Sequence, residues 1–139
     1  MDKLVTSGKR KEAVARAVIQ EGTGKITINR RPHEFLEMFK RLAIEEPIRI
    51  AKESLGEFKF DIDVTIRGGG QEGQADAARL AIAKAIIAVL KKQDAKKAEQ
   101  LRRAYLLYDR NMLIADIRRK EAYKPGDSKA RAKRQKSYR

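Results

Sequence analysis

Gly68, Gly70 and Gly73, in the stretch RGGGQEGQADAARLAIAKAI (67–86), match the G-x-G-x-x-G spacing of loops that set a dinucleotide pyrophosphate on the start of a helix. Such a site needs more than glycines. It needs a preceding strand buried on both faces, and after the helix a second parallel strand ending in an acid for the ribose. Here the segment before the loop, FKFDIDVTIR (58–67), alternates Phe60, Ile62, Val64 and Ile66 with Asp61, Asp63, Thr65 and Arg67, so one of its faces is wet. Asp94 falls near the right distance, but within KKQDAKKAEQ, a helical pattern with no strand before it. A Walker A loop is missing too, because Gly73 is followed by Gln74 rather than by Lys and Ser or Thr. The glycines instead suit a sharp, closely packed turn from strand to helix. Free amides at the helix start can then hold a phosphate of any kind, one on an RNA backbone included.

Other constellations that could do chemistry are few. Asp61 and Asp63 share a strand face, yet acid–base work needs one of them desolvated, and pairing with neighbouring bases is the expected role on a wet face. The lone histidine, His33, follows Pro32 near a helix start and reads as a turn residue; with no cysteine in the chain, no metal site or catalytic triad assembles. No enzymatic activity and no cofactor are expected. Basic residues, by contrast, are abundant. The 139 residues carry 33 Lys and Arg against 19 Asp and Glu, a net charge of +14. A surplus of that size implies a polyanionic partner, nucleic acid or an anionic membrane surface. No stretch approaches the roughly 20 apolar residues of a membrane span, and the N-terminus lacks the apolar run of a signal peptide.

The cations fall into groups. Lys9, Arg10 and Lys11 are expected in a glycine-opened turn ahead of the first strand, on RNA. Arg16 interrupts an apolar strand, so it either pairs with a carboxylate or faces RNA. Arg67 directly precedes Gly68, Gly69 and Gly70. From 118 to 139 the chain holds ten Lys and Arg and two acids, a net +8, with its last large aliphatic residue behind it at Ile117. That tail cannot build a core, so it folds on a partner or not at all. Its Lys129-Ala130-Arg131-Ala132-Lys133-Arg134 alternates bases with small residues, which lets the backbone lie in a groove while cations reach phosphates on several sides. Tyr138 is its stacking candidate.

These residues must be positioned by a body of about 117 residues, enough for one domain. AVARAVIQ (13–20) and KITIN (25–29) read as a hairpin around Glu21–Gly24. Pro32 opens a helical stretch with Leu36, Phe39 and Ala43 at helical spacing; Pro47 breaks it and starts another helix, stopped by Gly56. A strand over 58–67 leads into a long helix over 72–92, with Ala78, Ile82, Ala85, Ile86 and Val89 as its inner stripe, and a shorter helix spans 95–108.

The 67–86 stretch resembles the signature of the S-nine family of small-subunit ribosomal proteins in its triple glycine, Gly73-Gln74, the small Ala77, Ala81 and Ala83, and Lys84. SGKRKEAVARAVIQEGTGKITINRRP, YDRNMLIADIRRKEAYKPG and KARAKRQKSYR are similar to its N-terminal, pre-tail and C-terminal stretches, with wording closer to archaeal or eukaryotic members. Bacterial members usually have Asn-Gly where this chain has Asn29-Arg30. The resemblance implies an α+β fold, a small mixed sheet covered by helices on one face, with residues 1–117 as the RNA-binding domain and 118–139 as a long basic extension. It implies a structural, ribosome-bound role in the cytoplasm, in the head of the small subunit beside other ribosomal proteins, with no membrane. Ribosomal RNA would be bound by Lys9, Arg10, Lys11, Arg16, Arg67, Gly68, Gly69, Gly70, Arg118, Arg119, Lys120, Lys124, Lys129, Arg131, Lys133 and Arg134. The tail tip, Lys136, Ser137, Tyr138 and Arg139, would lie near the peptidyl-site tRNA. Two rivals remain: a free-standing nucleic-acid-binding regulator, and an enzyme that binds ATP or NAD.

Overall fold

The computed structural model describes residues 3–123, 130 and 138. Five strands, β1 (Leu4–Arg10), β2 (Ala13–Glu21), β3 (Ile26–Ile28), β4 (Arg31–Pro32) and β5 (Phe60–Arg67), form one sheet in the order β1-β2-β5-β3-β4. Three helices follow the chain: α1 (Met38–Leu55), α2 (Gln71–Gln93) and α3 (Ala95–Tyr108). The sheet is mixed, since β3 runs parallel to β5 and every other pair is antiparallel. This is the α+β fold expected.

Alternation decides which side of the sheet is covered. Ala13, Ala15, Ala17 and Ile19 of β2 and Phe60, Ile62, Val64 and Ile66 of β5 are buried beneath the helices. Their neighbours Arg16, Asp63, Thr65 and Arg67 are exposed on the opposite face. α2 lies at the centre of the helical layer, and ten of its residues are buried, six of them alanines. Small side chains bring it close to the sheet. A Cβ at Gly8 of β1 would overlap the Ala77 carbonyl, and the Thr6 hydroxyl donates to the Ala81 carbonyl at 2.9 Å.

Four expectations need correction. Residues 13–20 and 25–29 are not a hairpin, because β5 lies between β2 and β3. The loop passes over the end of β5, and one oxygen of Asp61 accepts the amides of Thr23, Gly24 and Lys25 at 2.8, 2.9 and 2.8 Å. Residues 8–10 do not open a turn; they complete β1, and the turn falls on Lys11 and Glu12. Pro47 does not divide the helical stretch into two helices. α1 runs through it, with Pro47 buried and its carbonyl accepting the Tyr105 hydroxyl at 2.7 Å, so packing against α3 offsets the lost backbone bond. The helix begins at Met38 rather than at Pro32, which lies in β4 ahead of a 3-10 turn, and it ends at Gly56 as expected. Ala78, Ile82, Ala85 and Ile86 do line the inner side of α2, with Val89 half-buried, while Phe39 is exposed.

Candidate nucleic-acid interface

The uncovered sheet face and the two turns at one end of it bring the first groups of cations together. Val14 of β2 is flanked in register by Lys9 of β1 and Arg67 of β5, so the three side chains form one cross-strand row on the open face. The next row holds Ser7, Arg16 and Thr65. Lys9, Arg16 and Arg67 are exposed, and none makes an ion pair among the described residues. Of the two sequence options for Arg16, the carboxylate partner is absent from that set.

The strand ends continue this surface. Lys11 occupies the β1–β2 turn at φ 52°, and the glycine turn packs directly against it. Gly68 and Gly69 have φ of 73° and 67°; a Cβ on Gly68 would stand 2.6 Å from the Glu12 carbonyl, and one on Gly69 2.7 Å from the Ala13 amide nitrogen. Both glycines are therefore required by the turn. Gly70 differs. It is the N-cap of α2, with φ −89° and open space around its Cβ direction, and no side chain caps the helix start. β5 thus delivers a bare helix N-terminus beside a basic face. α2 is followed directly by α3, so no second parallel strand stands where a dinucleotide fold has one.

Asp61 and Asp63 take partners other than the bases expected for them. Asp61 holds the three loop amides, and those bonds, that from Lys25 foremost, keep its carboxyl below the usual carboxylate range. Asp63 accepts the Thr27 hydroxyl at 2.7 Å. His33 begins a single 3-10 turn, with Nδ1 3.3 Å from the Ile26 carbonyl and Nε2 3.3 Å from Glu45.

Arg10 is set apart from its neighbours. Its side chain turns to the helical side, where Nε lies 3.4 Å from Asp76 and Nη1 pairs with Asp116. Asp116 also accepts the backbone and side chain of Arg118, at 2.8 Å each from the amide and Nε. Those Arg118 contacts, then Arg10, hold the Asp116 carboxyl far below its ordinary value. Sequence reasoning missed Asp116; the signal was an isolated acid two residues before a run of three bases. It pins the root of the extension to β1. Arg119 and Lys120 are exposed beyond it, with the Lys120 ammonium 5.0 Å from the Tyr123 ring centroid. A second clasp lies nearby, where Arg79 bridges Glu46 at 2.6 Å and Asp109 at 2.7 Å. Lys124, Lys129, Arg131, Lys133, Arg134, Lys136, Ser137 and Arg139 lie outside the described residues; Tyr138 is described and 88% exposed.

Among the described residues, no helix is long and apolar enough to cross a membrane. Residues 8–139 match the family model described as Ribosomal protein S9/S16. The chain is 48% identical over 140 residues to the small ribosomal subunit protein uS9 of Picrophilus torridus, covering 99% of this chain and 98% of that one. It is 45% identical to the uS9 proteins of Thermoplasma volcanium, over the full length of both, and of Methanococcus vannielii, over 96% of each. These relatives are ribosomal proteins rather than enzymes, in keeping with the absence of catalysis expected from the sequence. A match over nearly the whole chain, with the glycine turn and the basic rows in place, assigns the chain to the ribosomal protein S9/S16 family.

Proposed function

We propose that the chain is a structural component of the small ribosomal subunit head, held in the cytoplasm on ribosomal RNA and among neighbouring ribosomal proteins. The observation that carries this reading is the convergence of Lys9, Arg16 and Arg67 on one uncovered face beside the glycine turn. Cations in adjacent cross-strand rows meet successive phosphates, and Gly70 lets a further phosphate approach the first amides of α2. The globular domain fixes position in this way. The extension leaves at the Asp116 clasp and supplies reach, with Arg118, Arg119 and Lys120 as its first contacts and the tip, Lys136 to Arg139, near the peptidyl-site tRNA. Arg10 serves as a clasp for the root of the extension rather than as an RNA contact.

The test is sedimentation of the tagged chain, expressed in Thermoplasma volcanium, through a sucrose gradient of the lysate in high salt. The chain is expected to travel with the small subunit and resist washing. Arg16→Glu with Arg67→Glu is expected to move it to the top of the gradient while its melting temperature stays near that of the parent, because both side chains lie outside the core. A parent chain found only at the top would remove the ribosomal reading.

A further inference from the structure

The turn joining β3 to β4 carries a side chain that its backbone disfavours. Ile28 and Arg31 pair across a two-residue turn of Asn29 and Arg30, whose φ values are 50° and 66°. A turn of this kind needs a left-handed backbone at both positions, which Asn tolerates and glycine fits best; a long side chain at the second is strained. Asn29 has a structural task there, since its side-chain oxygen accepts the Ile66 amide at 2.8 Å. Arg30 is exposed and makes no ion pair among the described residues. Strain held without an internal partner points to a contact outside the chain.

Beside this turn the Phe35 ring stands in solvent at 80% exposure, and Phe39, in the first turn of α1, is 77% exposed. Phe35 forms one wall of an open cleft of about 540 Å³, whose other walls include Arg31, Lys40, Gln71 and Gln74. Gln74 donates to the Gly68 carbonyl at 3.0 Å, so the cleft is continuous with the glycine turn and the basic rows. Rings to stack on, amide side chains to meet base edges and cations for phosphate are together what single-stranded RNA requires. Of the acids nearby, Glu37 is taken by Lys40 at 2.6 Å, and Arg30 and Arg31 outnumber Glu34.

We infer that this cleft takes an unpaired nucleotide of the bound RNA, its base against Phe35 and its phosphate on Arg31, with Arg30 on the adjoining turn as a second cation. The inference rests on the RNA-binding reading above. The probe is small-subunit ribosomal RNA from Thermoplasma volcanium, bound to the full chain, irradiated with short-wave ultraviolet light and digested with trypsin. Trypsin does not cut before Pro32, so both rings fall in one peptide, RPHEFLEMFK (31–40). A nucleotide adduct on that peptide is expected. Phe35→Ala is expected to abolish the adduct and weaken binding by about fivefold or more. Arg30→Gly relaxes the turn, so it should weaken binding without lowering the melting temperature, which no structural role for Arg30 would produce. An adduct absent from 31–40, or unchanged affinity in either variant, overturns the inference. Unchanged RNA affinity with loss of another head protein from reconstituted subunits overturns it in favour of protein docking. A parent chain that does not bind the RNA at all fails the earlier reading instead.

Discussion

The Asp61 carboxylate does at residue scale what a turn sequence usually does alone. One oxygen gathers the amides of Thr23, Gly24 and Lys25, and so closes the loop by which the chain passes over β5. Those bonds lower its pKa, with Lys25 the largest cause, which means the ionised form favours the folded state. That contribution is complete above the unfolded value of ~4 and is lost as pH falls through the lower folded one. Asp61→Asn is therefore expected to lower the melting temperature at neutral pH, by an amount that shrinks on acidification towards pH ~2. Thermal scans of both chains across that range decide it; a constant gap would show that geometry rather than charge holds the amides. The sequence placed Asp61 correctly on the open face, but strand alternation reports only the face of a residue, and its partners came from a loop 36 to 38 residues away.

Elements were legible where a local pattern was strong, and not where a non-local contact decided the outcome. The β5 alternation and the α2 and α3 periodicities predicted their spans to within two residues. The hairpin failed because residues 22–25 can reach about 13 Å, further than the roughly 10 Å between strands that flank a third, so the same glycine-rich loop fits both arrangements. β1 was hidden because Gly8, which resembles a turn residue, is there to let α2 approach. Pro47 misled for a similar reason, since what keeps α1 whole lies on another helix. Tyr105 is buried at its centre of contact, its hydroxyl donating to the Pro47 carbonyl, and burial pushes its phenol pKa well up. Tyr105→Phe keeps the ring and removes the bond, so a loss of about 1 kcal/mol in urea unfolding is expected. A substitution without cost would mean that ring packing alone holds α1 and α3 together at the proline.

For the whole molecule, charge is divided between a face and an extension. Lys9, Lys11, Arg16 and Arg67 are fixed by the fold, whereas seven Lys and Arg lie beyond Lys120. Both groups release counterions from RNA, but only the first is held in register with the glycine turn. Ending the chain after Lys120 keeps Arg118 on Asp116, so the clasp on β1 survives the cut. If every lost cation meets a phosphate, the slope of log affinity against log salt falls by up to about six, because each contact contributes ~0.7–0.9. Preference for small-subunit ribosomal RNA over a random transcript should persist in the shortened chain, because the positioned cations remain. Filter binding at several salt concentrations reads slope and preference together. Equal slopes in the two chains would place the electrostatic work on the sheet face and leave the extension a role other than phosphate binding. Loss of preference with the extension would reverse the division and make the globular domain the passive part.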